Sequence, residues 1–257
     1  MLALSVRNIW LLVFITILGC VVVWLPARWI TPGLQSATGG RVQLTEVAGT
    51  IWQGSARLLI APTAGVTQAE ASEAKTVFPE RLSWRLHKTP LLFARAEGSL
   101  HFGTRPGSVF NAGFKSWSLT PGATALPAAQ LTALGAPLNS MVPGGWVDLS
   151  WQQLTGTPHT IKGQIDAVWS EATTRLSGSE PLGDYLLRLQ LEGSAVQLNL
   201  STRRGRLQIS GEGQFGNGPP RFRLVSTSAA EHRERLTAVL NMLGRRQNDE
   251  YILQIGS

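Results

Sequence analysis

The sequence predicts a mainly β protein: an N-terminal transmembrane helix, then a curved, largely antiparallel β-sheet domain with a short C-terminal helix. Three observations carry that prediction. Ile9 to Leu25 is a run of 17 residues without a charge. From Arg41 onward, apolar and polar residues alternate with the period of half-buried strands. One late segment, Ala230 to Leu243, instead carries apolar residues at spacings of three and four.

Composition sets the bounds. The chain has 257 residues, 43% of them hydrophobic, with 27 Gly, 14 Pro and 9 Trp, enough to bury a real core. Only 15% are charged, which argues against a coiled coil and against a solvated disordered chain. The formal charge is +7, and 19 of the 23 basic residues are Arg. Cys20 is the single cysteine, so no intramolecular disulfide forms. With only 4 His besides, a Cys-type zinc site is not expected, nor is any cofactor.

The anchor comes first along the chain. Ile9, Leu11, Phe14, Cys20, Trp24 and Leu25 mark a helix of roughly 25 Å. Trp10 and Trp24 sit near its ends, where amphipathic rings favour the membrane interface. Arg7 precedes it and Pro26 ends it, which orients the N-terminus to the cytoplasm. Two other readings compete. A cleaved signal peptide lacks an A-x-A-like site here. A lipoprotein signal finds a loose lipobox in Ile17-Leu18-Gly19-Cys20, but the apolar run continues past Cys20. A Cys-free chain beyond the anchor fits an oxidising space, best a Gram-negative periplasm. The expected division is 1–25 for the cytoplasmic N-terminus and inner-membrane anchor, 26–40 for a neck, and 41–257 for a periplasmic β-rich domain.

Within that domain Val42, Leu44 and then Val47 open the strand pattern, and Ile51 to Leu58 follow. Ala61 to Pro79 reads as a loop and Leu82 to Leu86 as a strand. Pro90 to Phe93 suits a helical turn, and Arg95 to Phe102 and Val109 to Leu119 suit two more strands. Residues 120–143, rich in Ala, Leu, Pro and Gly, are expected to connect two halves of the sheet, with a short helix at Ala128 to Leu134. Strands resume at Trp146 to Trp151, Ile161 to Trp169, Tyr185 to Leu191, Val196 to Leu200, Leu207 to Ile209 and Phe222 to Val225. The helix at Ala230 to Leu243 points Leu236, Val239, Leu240 and Leu243 inward, and Tyr251 to Ile255 is a last strand. Gly211-Glu212-Gly213 reads as bulges and Gly216-Asn217-Gly218 as a turn. A faint internal echo, a sign of a duplicated unit of strands, is that Leu82-Ser83-Trp84 is followed by Gly98-Ser99-Leu100 much as Leu149-Ser150-Trp151 is followed by Gly163-Gln164-Ile165.

Catalytic patterns are lacking. His159, Asp166 and Ser170 lie close in sequence, but on one strand and without a nucleophile elbow. No G-x-G-x-x-G follows a strand and opens a helix. The chain is therefore read as non-enzymatic. Two binding chemistries remain. Arg203, Arg204 and Arg206 at a hairpin turn, with Arg221 and Arg223 on the next strand, offer a basic face to an acidic partner or lipid headgroups. Leu187, Leu189, Leu198, Leu200 and Leu207 offer an apolar face to lipid tails. Nucleic acid is a poor fit outside the cytoplasm.

Several segments together resemble a known family. They are Trp24-Leu25-Pro26-Ala27, Val47 to Ala56 (VAGTIWQGSA), Leu82 to Leu86 (LSWRL), Gly163 to Trp169 (GQIDAVW), Pro181 to Tyr185 (PLGDY), Gly205 to Gly213 (GRLQISGEG) and Leu240 to Gly244 (LNMLG). Their order resembles the type II secretion system protein N family, also called general secretion pathway protein N. The resemblance implies a non-enzymatic accessory component, bitopic in the inner membrane with its bulk in the periplasm. It also implies partners among the other secretion components there. More distantly, the chain resembles large β-rich inner-membrane proteins that carry or contact lipids along a curved sheet. Two functions therefore stay open, an interaction scaffold for export of folded proteins and a lipid-binding or lipid-transfer module.

Overall fold

The computed structural model describes residues 24–40, 42–60, 76–88, 95–134, 138–178, 180–216 and 218–256. Of the expected anchor, Ile9, Leu11, Phe14 and Cys20 lie outside these residues, as do 61–75 and the turn expected at Pro90 to Phe93. Among the described residues no helix is long and apolar enough to cross a membrane.

A short 3-10 turn (Ala27–Trp29) and a neck helix (Ile30–Ala37) open the described chain. Strands β1 (Val42–Gly49), β2 (Gln53–Ile60), β3 (Thr76–His87), β4 (Ala96–Phe102), β5 (Ser108–Ala112) and β6 (Trp117–Leu119) then follow side by side. Next come β7 (Gly122–Pro127), a 3-10 segment (Ala128–Leu134), a helical turn (Leu138–Met141), β8 (Gly144–Trp151) and β9 (Leu154–Thr157). The last part holds β10 (Thr160–Thr173), β11 (Gly183–Gly193), β12 (Ala195–Gly205), β13 (Leu207–Phe215) and β14 (Arg221–Ser228). The C-terminal helix (Ala230–Leu243), β15 (Arg245–Gln247) and β16 (Glu250–Ile255) complete it. All the pairings are antiparallel, as short hairpin connections require. The order across the 16-stranded sheet is β1 to β6, then β9 to β14, then β16 and β15, with β7 and β8 off this path.

Five local expectations need correction. Thr76 to Pro79 belong to β3, because Thr76 and Val77 pair with Ile60 and Leu59 and lengthen the β2–β3 ladder. Val109 to Leu119 is two strands, split at 113–116 where the Gly113 N–H donates to the Ser116 carbonyl at 2.9 Å. Within the expected connection, Gly122–Pro127 is a strand whose small residues pack closely against β8. The four-residue β9 was not expected, since so short a strand shows no alternation to read. Gly211 and Gly213 are regular ladder positions rather than bulges. A Cβ at Gly213 would lie 3.0 Å from the Phe215 and Phe222 rings, so these rings occupy the space beside it.

True bulges occur at two glutamates. Glu46 (φ 50°) and Glu171 (φ 51°) sit where the β1–β2 and β10–β11 registers shift. The extra residue explains why the apolar rhythm steps from Leu44 to Val47 instead of Leu44 to Glu46. Both apolar residues then reach the same core.

That core has three parts, each under a helical segment. Ile30 and Leu34 of the neck pack on Ala27, Leu44, Ala56 and Trp84. Leu131 of the 3-10 segment packs on Leu126, Ala128 and Val147. Leu236, Val239 and Leu240 of the C-terminal helix seal Ala172, Leu182, Tyr185, Leu207 and Tyr251, which agrees with the inward stripe expected of that helix. Leu58 joins the first two parts, and Trp169 the last two.

Pro121 breaks the line of β6 and β7, because it has no N–H for the ladder. Beyond this break β7 and β8 meet β3 and β4 through side chains. Phe102 and Trp151 contact edge to face with centroids 6.2 Å apart. Thr124 Oγ1 donates to Glu80 at 3.1 Å, and Arg105 pairs with Asp148 at 2.8 Å.

Candidate functional site

Ladder registers sort the late strands into two faces. One face carries the rungs Leu187–Leu200, Leu189–Leu198–Gly213–Phe222–Ile255 and Leu200–Gly211–Leu224–Leu253. The other carries Asn199–Glu212–Arg223–Gln254 and Gln197–Gln214–Arg221. The period-two pattern alone makes one face apolar and the other polar.

Two shallow grooves, each of about 600 Å³, lie over the polar face. Gln197, Asn199, Glu212, Gln214, Arg221 and Arg223 line the first. Ser201, Ser210, Arg223 and Glu250 continue into the second. The groove walls are thus amides, hydroxyls, guanidinium groups and the carboxylates of Glu212 and Glu250. Arg221 and Arg223 are both exposed, and among the described residues neither side chain has a hydrogen bond or ion pair.

The five arginines expected on one basic face fall into two groups. Arg204 is paired with Asp184, and Arg206 is paired with Glu180 and also donates to the Pro181 carbonyl at 2.9 Å. Arg203 is exposed beside them. Arg221 lies opposite Gln214, in the rung that Gln197 begins, and Gln197 is six residues from Arg203 along β12, or roughly 20 Å at strand rise. Local carboxylates answer the first group, because Arg204 to Arg206 run alongside residues 180–184. At Asp184 the backbone N–H of Glu171 donates at 2.8 Å, and Arg204 adds to it. Together they hold that carboxyl below the usual carboxylate range.

The expected apolar residues also divide. Leu207 is only 1% exposed and sits beneath the C-terminal helix, so it is core rather than a surface open to a lipid tail. Leu200 packs at the edge of the same core. Leu187, Leu189 and Leu198 are half-buried outside it. Beside them Phe215, Leu253 and Ile255 are exposed, Ile255 at 51%.

Of the residues weighed as a catalytic group, Asp166 is held by Arg188 in a bidentate pair at 3.0 and 3.1 Å. That guanidinium, helped by the Gln164 amide, draws the Asp166 carboxyl below its ordinary range. His159 lies on the exposed β9–β10 turn.

A repeated device was missed from sequence. Trp84 stands opposite Gly54 and Leu100, and Trp151 opposite Gly122 and Ile165. A Cβ on Gly54 or Gly122 would lie 2.5 or 2.6 Å from the indole, so each ring occupies its partner's missing side chain. Each indole N–H donates to a carbonyl just before that glycine, Trp84 to Ile51 at 2.9 Å and Trp151 to Thr120 at 3.1 Å. Trp117 covers Gly156 in the same way and donates to the Thr157 carbonyl at 3.3 Å. The echo of Leu-Ser-Trp and Gly-x-Leu/Ile was the signal, and its meaning is this shared rung.

The family described as type II secretion system (T2SS), protein N matches residues 40–253 of the chain. No curated protein and no solved structure matches it.

Proposed function

The chain belongs to the type II secretion system protein N family, and from that premise we propose that it is an inner-membrane-anchored, periplasmic accessory scaffold. The family is a secretion component rather than an enzyme family, and its members work with other type II secretion components. The anchor is the apolar run Ile9 to Leu25. The docking surface is the polar face of β12 to β14. The observation that carries this reading is the Arg221–Arg223 pair, exposed over a polar groove with no carboxylate bound to it among the described residues. Guanidinium groups left free in this way suit acidic side chains of a partner and set its register.

The test is Arg221→Glu with Arg223→Glu in the full chain. Co-purification of the other secretion components should fall, and exported enzymes should accumulate in the periplasm. Unchanged co-purification would remove the polar face as the docking surface.

A second reading, lipid binding, draws support from the half-buried Leu187, Leu189 and Leu198 beside the exposed Phe215 and Ile255. Native mass spectrometry of the full chain should then show lipid-mass adducts that Leu198→Glu abolishes. A bare protein mass would end it.

A further inference from the structure

Antiparallel strands place alternate turns at one end of a sheet, and here that end is where the chain enters. Pro26 bridges to Thr50, and the Ile51 N–H donates to the Leu25 carbonyl at 2.9 Å, at the junction of β1 and β2. By the pairing order, the β5–β6, β9–β10, β11–β12 and β13–β14 turns open at this same end.

Two features gather there. The first is exposed aromatic surface. Phe114, on the β5–β6 turn, is 85% exposed, and Trp24 and Trp29 at the entry are 77% and 62% exposed. Turns ordinarily take Gly, Asn, Asp, Ser or Pro, so a bare Phe at a tip gains nothing from folding. The second is lysine. All three lysines among the described residues are at this end and exposed: Lys88 after β3, Lys115 beside Phe114, and Lys162 near the start of β10. With Arg95 they outnumber Glu97 and Glu192. Aromatic rings flanked by lysines are the pairing that an anionic membrane interface selects, the rings for the headgroup boundary and the ammonium groups for lipid phosphates.

We infer that this end of the sheet rests on an anionic phospholipid surface, with Phe114 inserted at the headgroup level and Lys88, Lys115 and Lys162 over the phosphates. The inference rests on the anchored reading above, since the anchor delivers this end to the bilayer. It adds a second, peripheral contact that fixes how the sheet stands over the membrane.

The test uses the full chain with Cys20→Ser, reconstituted in vesicles of phosphatidylethanolamine and phosphatidylglycerol. Single cysteines replace Phe114, Trp24 or Leu176, the last at the opposite end, and carry an environment-sensitive fluorophore. Lipid spin-labelled near the headgroup should quench position 114 about twofold or more above position 176, as a group held ~5–10 Å into the boundary requires. Lys88→Glu, Lys115→Glu and Lys162→Glu together, or neutral vesicles, should bring position 114 down to the level of position 176. Quenching at 24 without quenching at 114 would overturn this inference and leave the anchor standing. Absence of quenching at both would overturn the anchor and the inference together. Equal quenching at 114 and 176 would overturn the stated orientation.

Discussion

One apolar face spans β11 to β14 and the adjoining β16, and its two halves meet different fates. In the first half Tyr185, Leu207 and Tyr251 lie under Leu236, Val239 and Leu240 of the C-terminal helix and are sealed from water. In the second half, Leu189, Leu198 and Phe222 follow the same alternation on the same strands and stay half-buried, while Ile255 beside them on β16 is exposed. The strands are alike in kind on both sides. What differs is a covering element, so the same pattern builds a core in one half and an open apolar surface in the other.

The largest expected effect tests that contrast directly. Leu240→Ala should cost about 2–5 kcal/mol in urea unfolding, because the cavity it leaves is enclosed. Leu198→Ala should cost about 1 kcal/mol or less, since water already reaches part of that side chain. Equal losses would mean the two halves are equally packed.

A smaller effect sharpens the covered half. The Tyr185 hydroxyl donates to the Leu207 carbonyl at 3.1 Å inside the core, and burial pushes the phenol pKa up, so it stays protonated. Tyr185→Phe keeps the ring and leaves the carbonyl without this donor, at a cost of about 1–2 kcal/mol in the same titration. A cost near zero would show that water reaches this part of the core.

The smallest effect concerns the polar side of the uncovered half, where no helix helps and the Asp166–Arg188 ion pair ties β10 to β11. Arg188 holds the Asp166 carboxyl below its ordinary range, so the folded-state value lies under the unfolded one. The pair therefore stabilises the fold fully above the ordinary carboxylate range. Its contribution is lost as pH falls from that range through the lowered value. Asp166→Asn should flatten the acid limb of stability against pH by a small amount, because the Arg188 side chain is 43% exposed and screened by solvent. An unchanged acid limb would show that the pair adds nothing measurable.

Much of the fold was legible. The strands that begin near Tyr185, Val196, Leu207, Phe222 and Tyr251, the C-terminal helix and its inward residues follow from period and spacing, whereas the three-residue β15 (Arg245–Gln247) was not expected. The short pieces were not legible. β9 has four residues, and the turn at 113–116 breaks an otherwise continuous strand signal. The bulge at Glu46 was visible only as a missed beat between Leu44 and Val47. Of the candidate surfaces, the residue types were readable and their grouping was not. Arg204 and Arg206 are answered by Asp184 and Glu180, which folding brings beside them from about twenty residues upstream, whereas Arg221 and Arg223 remain free.

By itself, the sequence determined the class of structure and the family, since alternation, helical spacing and the ordered short motifs are local properties of the chain. It also determined which side chains share a face of each strand. Only the tertiary structure decided which part of that face is covered, which arginines are neutralised, and that tryptophans fill the space over glycines on neighbouring strands. Those outcomes depend on register and on contacts between distant segments. Such contacts form only when apolar area buried by one element happens to lie against another.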